Sequence, residues 1–303
     1  AAKEDFNVTS YIMEHHQRSG IGNTTIMQYM LEWFRMPDSF EKTLWLSQIL
    51  QGLAIKYAVE HWRRGMPRGM GTLYWQLNDC WPVASWASID YFKRWKALHY
   101  MAKRFYAPLL VSGLEDAQTG QVEIHVTSDR LAPASGRVNW ALTDVAGREL
   151  ERGACGVQIP ARRNTRASTL HLARHLEERP ARDLMLWLDL CVGGTTVSTN
   201  FVSFARPKHL ELDDPRLRVT LRPAPGGGYL ADLLAQRPAL WVWLELRDAA
   251  ASFSDNFFHL RPGTPVQVRI TPARPMPARA VKAALTVRSL VDTYAPAAAA
   301  VSG

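Results

Sequence analysis

The residues best suited to chemistry crowd into one short run, GTLYWQLNDCWP, at positions 71–82. It brings Tyr74, Trp75, Gln76, Asn78, Asp79 and Trp81 close together. An indole offers a flat apolar face with a negative quadrupole. Amides and a carboxylate beside it supply directional donors and acceptors. That pairing suits a sugar ring, which has C–H faces to stack and hydroxyls that need hydrogen bonds. The same residues also fit a second reading, in which Trp75 and Trp81 simply fill a core.

Other reactive side chains carry weaker patterns. His15 and His16, in MEHHQRSG, are adjacent and point apart, unlike the helical H-E-x-x-H zinc arrangement, and read as structural. His61 and His99 fall on helical stripes and read as packing or capping residues. Glycoside hydrolysis needs two carboxyl groups, ~5 Å apart for retention and ~6.5–9.5 Å for inversion. Of Glu14, Glu32, Glu41 and Glu60, the last three fall in helical patterns and read as solvated charges, Glu60 with Lys56 one turn earlier as its partner. Asp79 is the best-placed acid, but one carboxylate does not make a hydrolase. No Ser-His-Asp arrangement, P-loop or dinucleotide fingerprint is present, so no catalytic residue is assigned from the residues alone.

The elements that must hold this run are helices. Asn23 is expected to cap a helix in which Met27, Met30, Leu31 and Phe34 follow the i, i+3, i+4, i+7 spacing, and Pro37 must end it. A longer helix is expected from Ser39 to Arg64, with Leu46, Leu50, Leu53, Tyr57 and His61 on or near one stripe and Gly65 after its basic end. GTLYWQL, too short and aromatic for a helix, reads as a buried strand. Another helix is expected from Trp95 to Tyr106. Helix, strand, helix is a piece of an α/β fold.

At Pro108 the character changes to short alternating runs: LLVSG, QVEIHVTSD, GRVNWALTDVAG, STLHLARHL, DLMLWLDLCVGG and TTVSTNFVSFA. Strands at such spacing predict an immunoglobulin-type antiparallel sandwich. A second all-β unit is expected after RPKHLELDDP, from RLRVTLRPA, YLADLLA, LWVWLELRD, FFHLRPG, PVQVRIT and KAALTVRSLVD. Gly226–Gly228 and Ser254-Asp255-Asn256 mark its turns.

Composition narrows the classes. With 303 residues, two or three domains are expected, and 47% hydrophobic against 21% charged residues is ordinary for a globular chain. The Ala-rich tail from Ala295 is expected to fray. The net charge of +8 comes from scattered Arg rather than basic runs, and no RNA-recognition, zinc or recognition-helix signature accompanies it, so nucleic acid is not expected as a partner. Cys80, Cys155 and Cys191 lie far apart with no CxxC pair, which points to neither a disulfide framework nor zinc. No apolar run approaches the ~20 residues needed to span a bilayer, so no membrane is expected. No ligand spacing implies a metal or cofactor.

Three blocks carry a family resemblance: MEHHQRSGIGNTTIMQYML, LSQILQGLAIKYAVEHWRR, and MGTLYWQLNDCWPVASWASIDYFKRWKALHYMAKRFYAPLLVS. They closely resemble the β-mannosidases of glycoside hydrolase family 2, nearly continuously from about Phe6 to Ser112. The resemblance weakens through the first sandwich and returns at VWLELRD and FSDNFFHLRPG. YWQLNDCWP with SWASIDY and WKALHY is its most specific part.

The resemblance implies a fold, an activity and a role for one residue. Family members carry their active site in a (β/α)8 barrel followed by sandwich domains, and remove terminal β-linked mannose with retention, using two glutamates. No residue here matches either glutamate; the second lies at the end of barrel strand seven, and this chain is expected to begin just after it. The fold implied is the C-terminal segment of a TIM barrel (1–107), an immunoglobulin-like sandwich (108–207) and a second C-terminal sandwich (208–303). GTLYWQL then resembles barrel strand eight, and Trp75 matches the tryptophan that packs on the sugar in the −1 subsite. Gln76, Asn78 and Asp79 become rim or supporting groups, and Trp81, Trp86 and Tyr91 pack the following loop. Expected partners are a β-mannoside oligosaccharide and the N-terminal remainder of the same enzyme, without which this chain is expected to be inactive. The alternatives are another family 2 specificity, such as β-galactosidase or exo-β-glucosaminidase, and a non-catalytic carbohydrate-binding or interaction module.

Overall fold

Ahead of Pro108 the helical spacing of apolar residues is realised in a computed structural model that describes residues 2–294. The tail expected to fray lies outside the described residues. Helix α1 (Tyr11–His15) is capped by the Ser10 hydroxyl, which accepts from the Met13 N–H. Helix α2 (Gly22–Trp33) buries Met30, with Phe34 just past its end. Asn23 does not cap it, because Ile21 holds that position. Its amide instead accepts from Gln17 Nε2 at 2.9 Å and donates to the Val8 carbonyl at 3.1 Å, so the preceding loop claims the side chain.

Helix α3 (Phe40–Arg64) buries Leu46 and Leu53 on its apolar stripe, whereas Tyr57 and His61 reach the surface. Glu60 is not the solvated charge expected of it. It is 2% exposed, with one carboxylate oxygen 3.0 Å from Lys56 Nζ and the other 2.8 Å from Asn200 Nδ2. A tertiary partner, invisible to helical periodicity, takes the carboxylate out of water. Helix α4 (Ala97–Phe105) buries Leu98, Met101 and Phe105.

GTLYWQL, expected as a strand, forms none. Residues 71–77 belong to no ladder, the chain bends at Trp75 and Leu77, and only an isolated bridge joins Asn78 to Ile89. Strand composition is not enough: a strand needs a neighbouring strand to receive its N–H and C=O groups. Here the backbone partners are single bonds from Ser88 and Ile89.

After Pro108 the alternation becomes antiparallel sheet. Strands β1 (Leu109–Asp116), β2 (Gln121–Ser128), β3 (Ala134–Asp144), β4 (Glu149–Ile159) and β5 (Asn164–His171) are followed by a short helix α5 (Ala173–Glu178), then β6 (Leu184–Val192) and β7 (Thr195–Ser203). A three-stranded sheet of order β1-β2-β5 faces a four-stranded sheet of order β4-β3-β6-β7. Between them lie Val111, Ile124, Val138, Leu142, Leu186, Leu188 and Val202, the inward residues of both sheets. β4 is absent from the alternating runs read in the sequence: an edge strand rich in Glu, Arg and Gly, it buries only Val157 and Ile159.

The second sandwich is built from β8 (Arg218–Pro223), β9 (Tyr229–Leu234), β10 (Ala239–Leu246), β11 (Ala251–Phe253), β12 (Phe258–Leu260) and β13 (Val266–Pro272), then helix α6 (Ala278–Ala284) and β14 (Leu285–Arg288). Its sheets have the orders β11-β13-β9-β8 and β12-β10-β14 and enclose Ala231, Leu233, Val242, Leu244, Leu260, Val268 and Ile270. KAALTVRSLVD, expected as one strand, divides into the end of α6, β14 and a 3-10 turn. The turn at Ser254-Asp255-Asn256 forms as read, and Asn256 also reaches across to β10, bonding both backbone groups of Leu244 at 2.8 and 2.9 Å.

Two compact units result. One contains Ala1–Leu50, Cys80–Ser85 and Leu212–Gly303; the other contains Gln51–Asp79 and Trp86–Glu211. In the first, Trp45 stacks on Trp243 at 5.7 Å between ring centroids, and Arg288 pairs with Glu41. A bulge between Ala239 and Val242 puts Trp241 at φ 48°, and the buried indole meets Phe34 edge-on at 5.8 Å. In the second, Arg63 near the end of α3 donates to the carbonyls of Phe105 and Ala107 and pairs with Asp129.

Candidate functional site

Residues 72–79 are fixed by groups from α4 and from the loop before it. Tyr106, just past α4, has its hydroxyl 2.7 Å from Thr72 Oγ1, and its ring stacks on Tyr74. Tyr74 Oη lies 2.8 Å from Ser88 Oγ, which lies 3.0 Å from His99 Nδ1 on α4. Backbone bonds follow in order: Ser88 N–H to the Gln76 carbonyl, Ile89 N–H to the Leu77 carbonyl, and Asp79 N–H to the Ile89 carbonyl. The loop is held in turn by Lys96 N–H on the Ser88 carbonyl.

On this support Trp75 stands out, 73% exposed, with Leu73 and Leu77 near it in the chain also exposed. The peptide bond joining Trp75 to Gln76 is cis. Gln76 is half-buried. Asn78 is exposed and its amide donates to the Asp79 carbonyl at 3.3 Å. Asp79 is buried, 7% exposed. Burial pushes the Lys96 ammonium below its ordinary value, and the carboxylates of Asp79 and Asp90 partly offset that shift. The segment therefore offers one open aromatic face, polar groups just beyond it and a buried carboxylate whose charge acts on Lys96.

The other aromatic residues divide between the units. Trp81 stacks on His16 at 4.9 Å, with the Arg18 guanidinium over its ring at 4.4 Å, and His16 Nδ1 bonds the Pro82 carbonyl. His15 meets the same Trp81 ring edge-on at 6.0 Å, so both histidines pack on one indole. Trp86 is more than half exposed, and Tyr91 meets Phe92 edge-on at 5.2 Å. No three of the described His, Cys, Asp or Glu side chains cluster so as to hold a metal ion.

Sequence reasoning passed over Ser88. It is completely buried and hydrogen-bonded on every side, yet a lone serine in a loop has no periodicity to reveal it. Its only signal is its place inside SWASIDY.

Two family models match the sandwiches: a Mannosidase Ig/CBM-like domain over residues 120–209 and an Ig-fold domain, Ig_mannosidase, over residues 212–293. The chain is 33% identical over 248 residues to β-mannosidase A of Aspergillus fumigatus, covering 73% of this chain and 26% of that protein. It is 30% identical over 324 residues to the β-mannosidase of Capra hircus, covering 97% of this chain and 35% of that protein. Among solved structures, the β-D-mannosidase of Dictyoglomus thermophilum superposes with a TM-score of 0.86 over 95% of this chain, at 27% identity. The chain belongs to the β-mannosidases of glycoside hydrolase family 2.

As a family 2 β-mannosidase chain it spans about a third or less of the length of the relatives it matches. The exo-chitosanase of Amycolatopsis orientalis shares the fold, with a TM-score of 0.74 at 16% identity. The matched models account for both sandwiches, so the immunoglobulin-like architecture read from the alternating runs is present.

Proposed function

We propose that the protein containing this chain is a retaining exo-β-mannosidase, and that residues 1–107 complete its catalytic barrel. The reading divides the chain into that barrel segment, a first sandwich over 108–207 and a second from 208. The catalytic glutamate pair then belongs to the N-terminal remainder of the enzyme, and this chain supplies Trp75 as the floor of the −1 subsite. The observation that carries the reading is the exposure of Trp75 on a segment anchored on both sides of it, by the Tyr74 hydroxyl on Ser88 and by the hydrogen-bonded carbonyls of Gln76 and Leu77. A free apolar face of that size on a rigid support is suited to stacking a sugar ring.

Gln76 and Asn78 lie at the rim, where amides can read hydroxyl positions. Asp79, buried and electrostatically coupled to Lys96, ties the end of the segment to Ile89 through its backbone N–H. Retention requires two carboxyl groups ~5 Å apart, one as acid/base and one as nucleophile, with an oxocarbenium-like transition state between them. An indole beneath the ring stabilises that cationic character through its negative face.

Hydrolysis of matched aryl β-mannoside and β-galactoside tests the reading, using this chain with its N-terminal remainder and this chain alone. The expected result is mannoside turnover by the complete form only, reduced by Trp75→Ala. Turnover of galactoside in preference to mannoside assigns another family 2 specificity. No turnover of either sugar by the folded complete form favours a non-catalytic carbohydrate-binding module.

A further inference from the structure

We propose that Ser88 is the positioning residue for Trp75: its buried hydroxyl, held between Tyr74 and His99, fixes the backbone that aims the indole. The significance for turnover rests on Trp75 being the sugar platform; the geometry does not depend on it. Trp75 is 73% exposed, so packing contributes little to its orientation. Its aim must come from the residues on either side, and those residues converge on Ser88. Tyr74 precedes the indole and meets Ser88 Oγ at 2.8 Å. Gln76 follows it and accepts the Ser88 N–H at 3.0 Å. The Leu77 carbonyl lies 3.0 Å from the same hydroxyl.

Proton accounting makes the arrangement specific. A serine hydroxyl has one proton and two lone pairs. The Leu77 carbonyl can only accept, so the Ser88 proton goes there. Tyr74 Oη and His99 Nδ1 then donate to the two lone pairs, at 2.8 and 3.0 Å. The full hydrogen-bonding capacity of a completely buried hydroxyl is thus used, two bonds on the residues flanking one exposed indole and the third on His99. His99 is itself braced by the Trp95 ring, 4.4 Å away, which fixes the far end of the relay. Alanine at 88 removes all three side-chain bonds and leaves Tyr74 Oη, His99 Nδ1 and one carbonyl interaction of Leu77 to be satisfied otherwise.

The test uses the full-length parent enzyme labelled with 5-fluorotryptophan, the Trp75 fluorine resonance being assigned by its loss in Trp75→Phe. In Ser88→Ala that resonance is expected to broaden or split while the other tryptophans keep their shifts. For an aryl β-mannoside, kcat is expected to fall about tenfold with KM little changed, because orientation matters most in the transition state. Tyr74→Phe, which removes one hydroxyl, is expected to give a smaller change of the same kind and decides the matter if Ser88→Ala does not fold. A folded Ser88→Ala protein with an unaltered Trp75 resonance overturns the proposal, as does a change spread over all tryptophans. A local change at Trp75 in a parent protein that hydrolyses no β-mannoside supports the positioning role and removes the mannosidase reading instead.

Discussion

Glu60 and Asn200 meet side chain to side chain, at 2.8 Å, across a sequence separation of 140. The carboxylate lies on α3 and the amide on β7, and Asn200 Nδ2 also donates to the Val111 carbonyl at 2.8 Å. Lys56 holds the second carboxylate oxygen, so the buried charge is neutralised and hydrogen-bonded, the condition under which burial is tolerable. Glu60→Ala strands both partners and is expected to cost about 3 kcal/mol. Asn200→Ala, leaving the carboxylate without its buried donor, is expected to cost about 2 kcal/mol. Urea unfolding of both single variants and the double variant checks this: the double is expected to lose less than the sum, because the two residues act through one bond.

That pair also marks the boundary of what the sequence disclosed. Leu46 and Leu53 could be placed on the buried stripe of α3 because 3.6-residue periodicity puts apolar residues on one face. Glu60 could not, because its burial depends on a partner that only the tertiary fold delivers. The central strands of both sandwiches were legible from alternation, whereas the charged edge strand β4 carried too little apolar signal. GTLYWQL was misread for a related reason: aromatic and β-branched residues set strand preference, but a ladder needs a second strand. At the site, Trp75, Gln76, Asn78 and Asp79 stood in one conspicuous run, where the residues alone left sugar stacking and core filling open for Trp75 and the resemblance favoured the first. Ser88, the residue on which the run is fastened, is small, solitary and polar, and nothing in composition or spacing singles it out.

Trp75→Ala is expected to lower kcat/KM for an aryl β-mannoside about a hundredfold in the complete enzyme, equivalent to ~3 kcal/mol of transition-state stabilisation. The thermal midpoint is expected to stay within a degree or so, because an indole that is 73% exposed contributes little burial. Initial rates paired with calorimetry on the same preparation check both halves. A large fall in midpoint points to core filling rather than substrate binding.

Gly120 occupies a turn between β1 and β2 at φ +69°, a left-handed conformation that glycine adopts at no steric cost. A Cβ there would also fall 2.6 Å from the Ala173 backbone nitrogen and 2.7 Å from its Cα, and backbone does not yield as a flexible side chain does. Gly120→Ala is therefore expected to destabilise by about 2–3 kcal/mol, combining conformational strain with a forced shift at the start of α5. Gly193→Ala, at φ +60° but with open space around it, is expected to cost about 1 kcal/mol. The difference between their unfolding midpoints separates steric from conformational cost.

Burial pushes the His99 imidazole below its ordinary value, and does the same to His125, where Glu123 partly offsets the shift and Arg64 and Arg166 reinforce it. The unfolded chain takes up protons near pH ~6.5, while the folded chain resists until lower pH. Below that point the unfolded state binds more protons, so the stability these groups contribute is complete above pH ~6.5 and declines as pH falls through their folded values. The urea midpoint is expected to drop between pH 7.5 and pH 5.5. A His99→Asn, His125→Asn variant is expected to show a shallower drop over the same interval, and an unchanged slope excludes the two histidines as its source.

The interleaving of segments between the two units governs how the chain is made. Residues 1–50 emerge ahead of the rest of their unit, most of which begins at Leu212, after the whole first sandwich. The tryptophan that receives Trp45, Trp243, and the arginine that pairs with Glu41, Arg288, are translated about two hundred residues later. At roughly 5–20 residues per second, the nascent α2 and the start of α3 wait on the order of ten seconds or more with their apolar faces uncovered. Chain ends cut before the second sandwich would leave that wait permanent, so C-terminal truncation products are expected to require chaperone retention and to be cleared by proteolysis even where every residue of the Trp75 segment is intact.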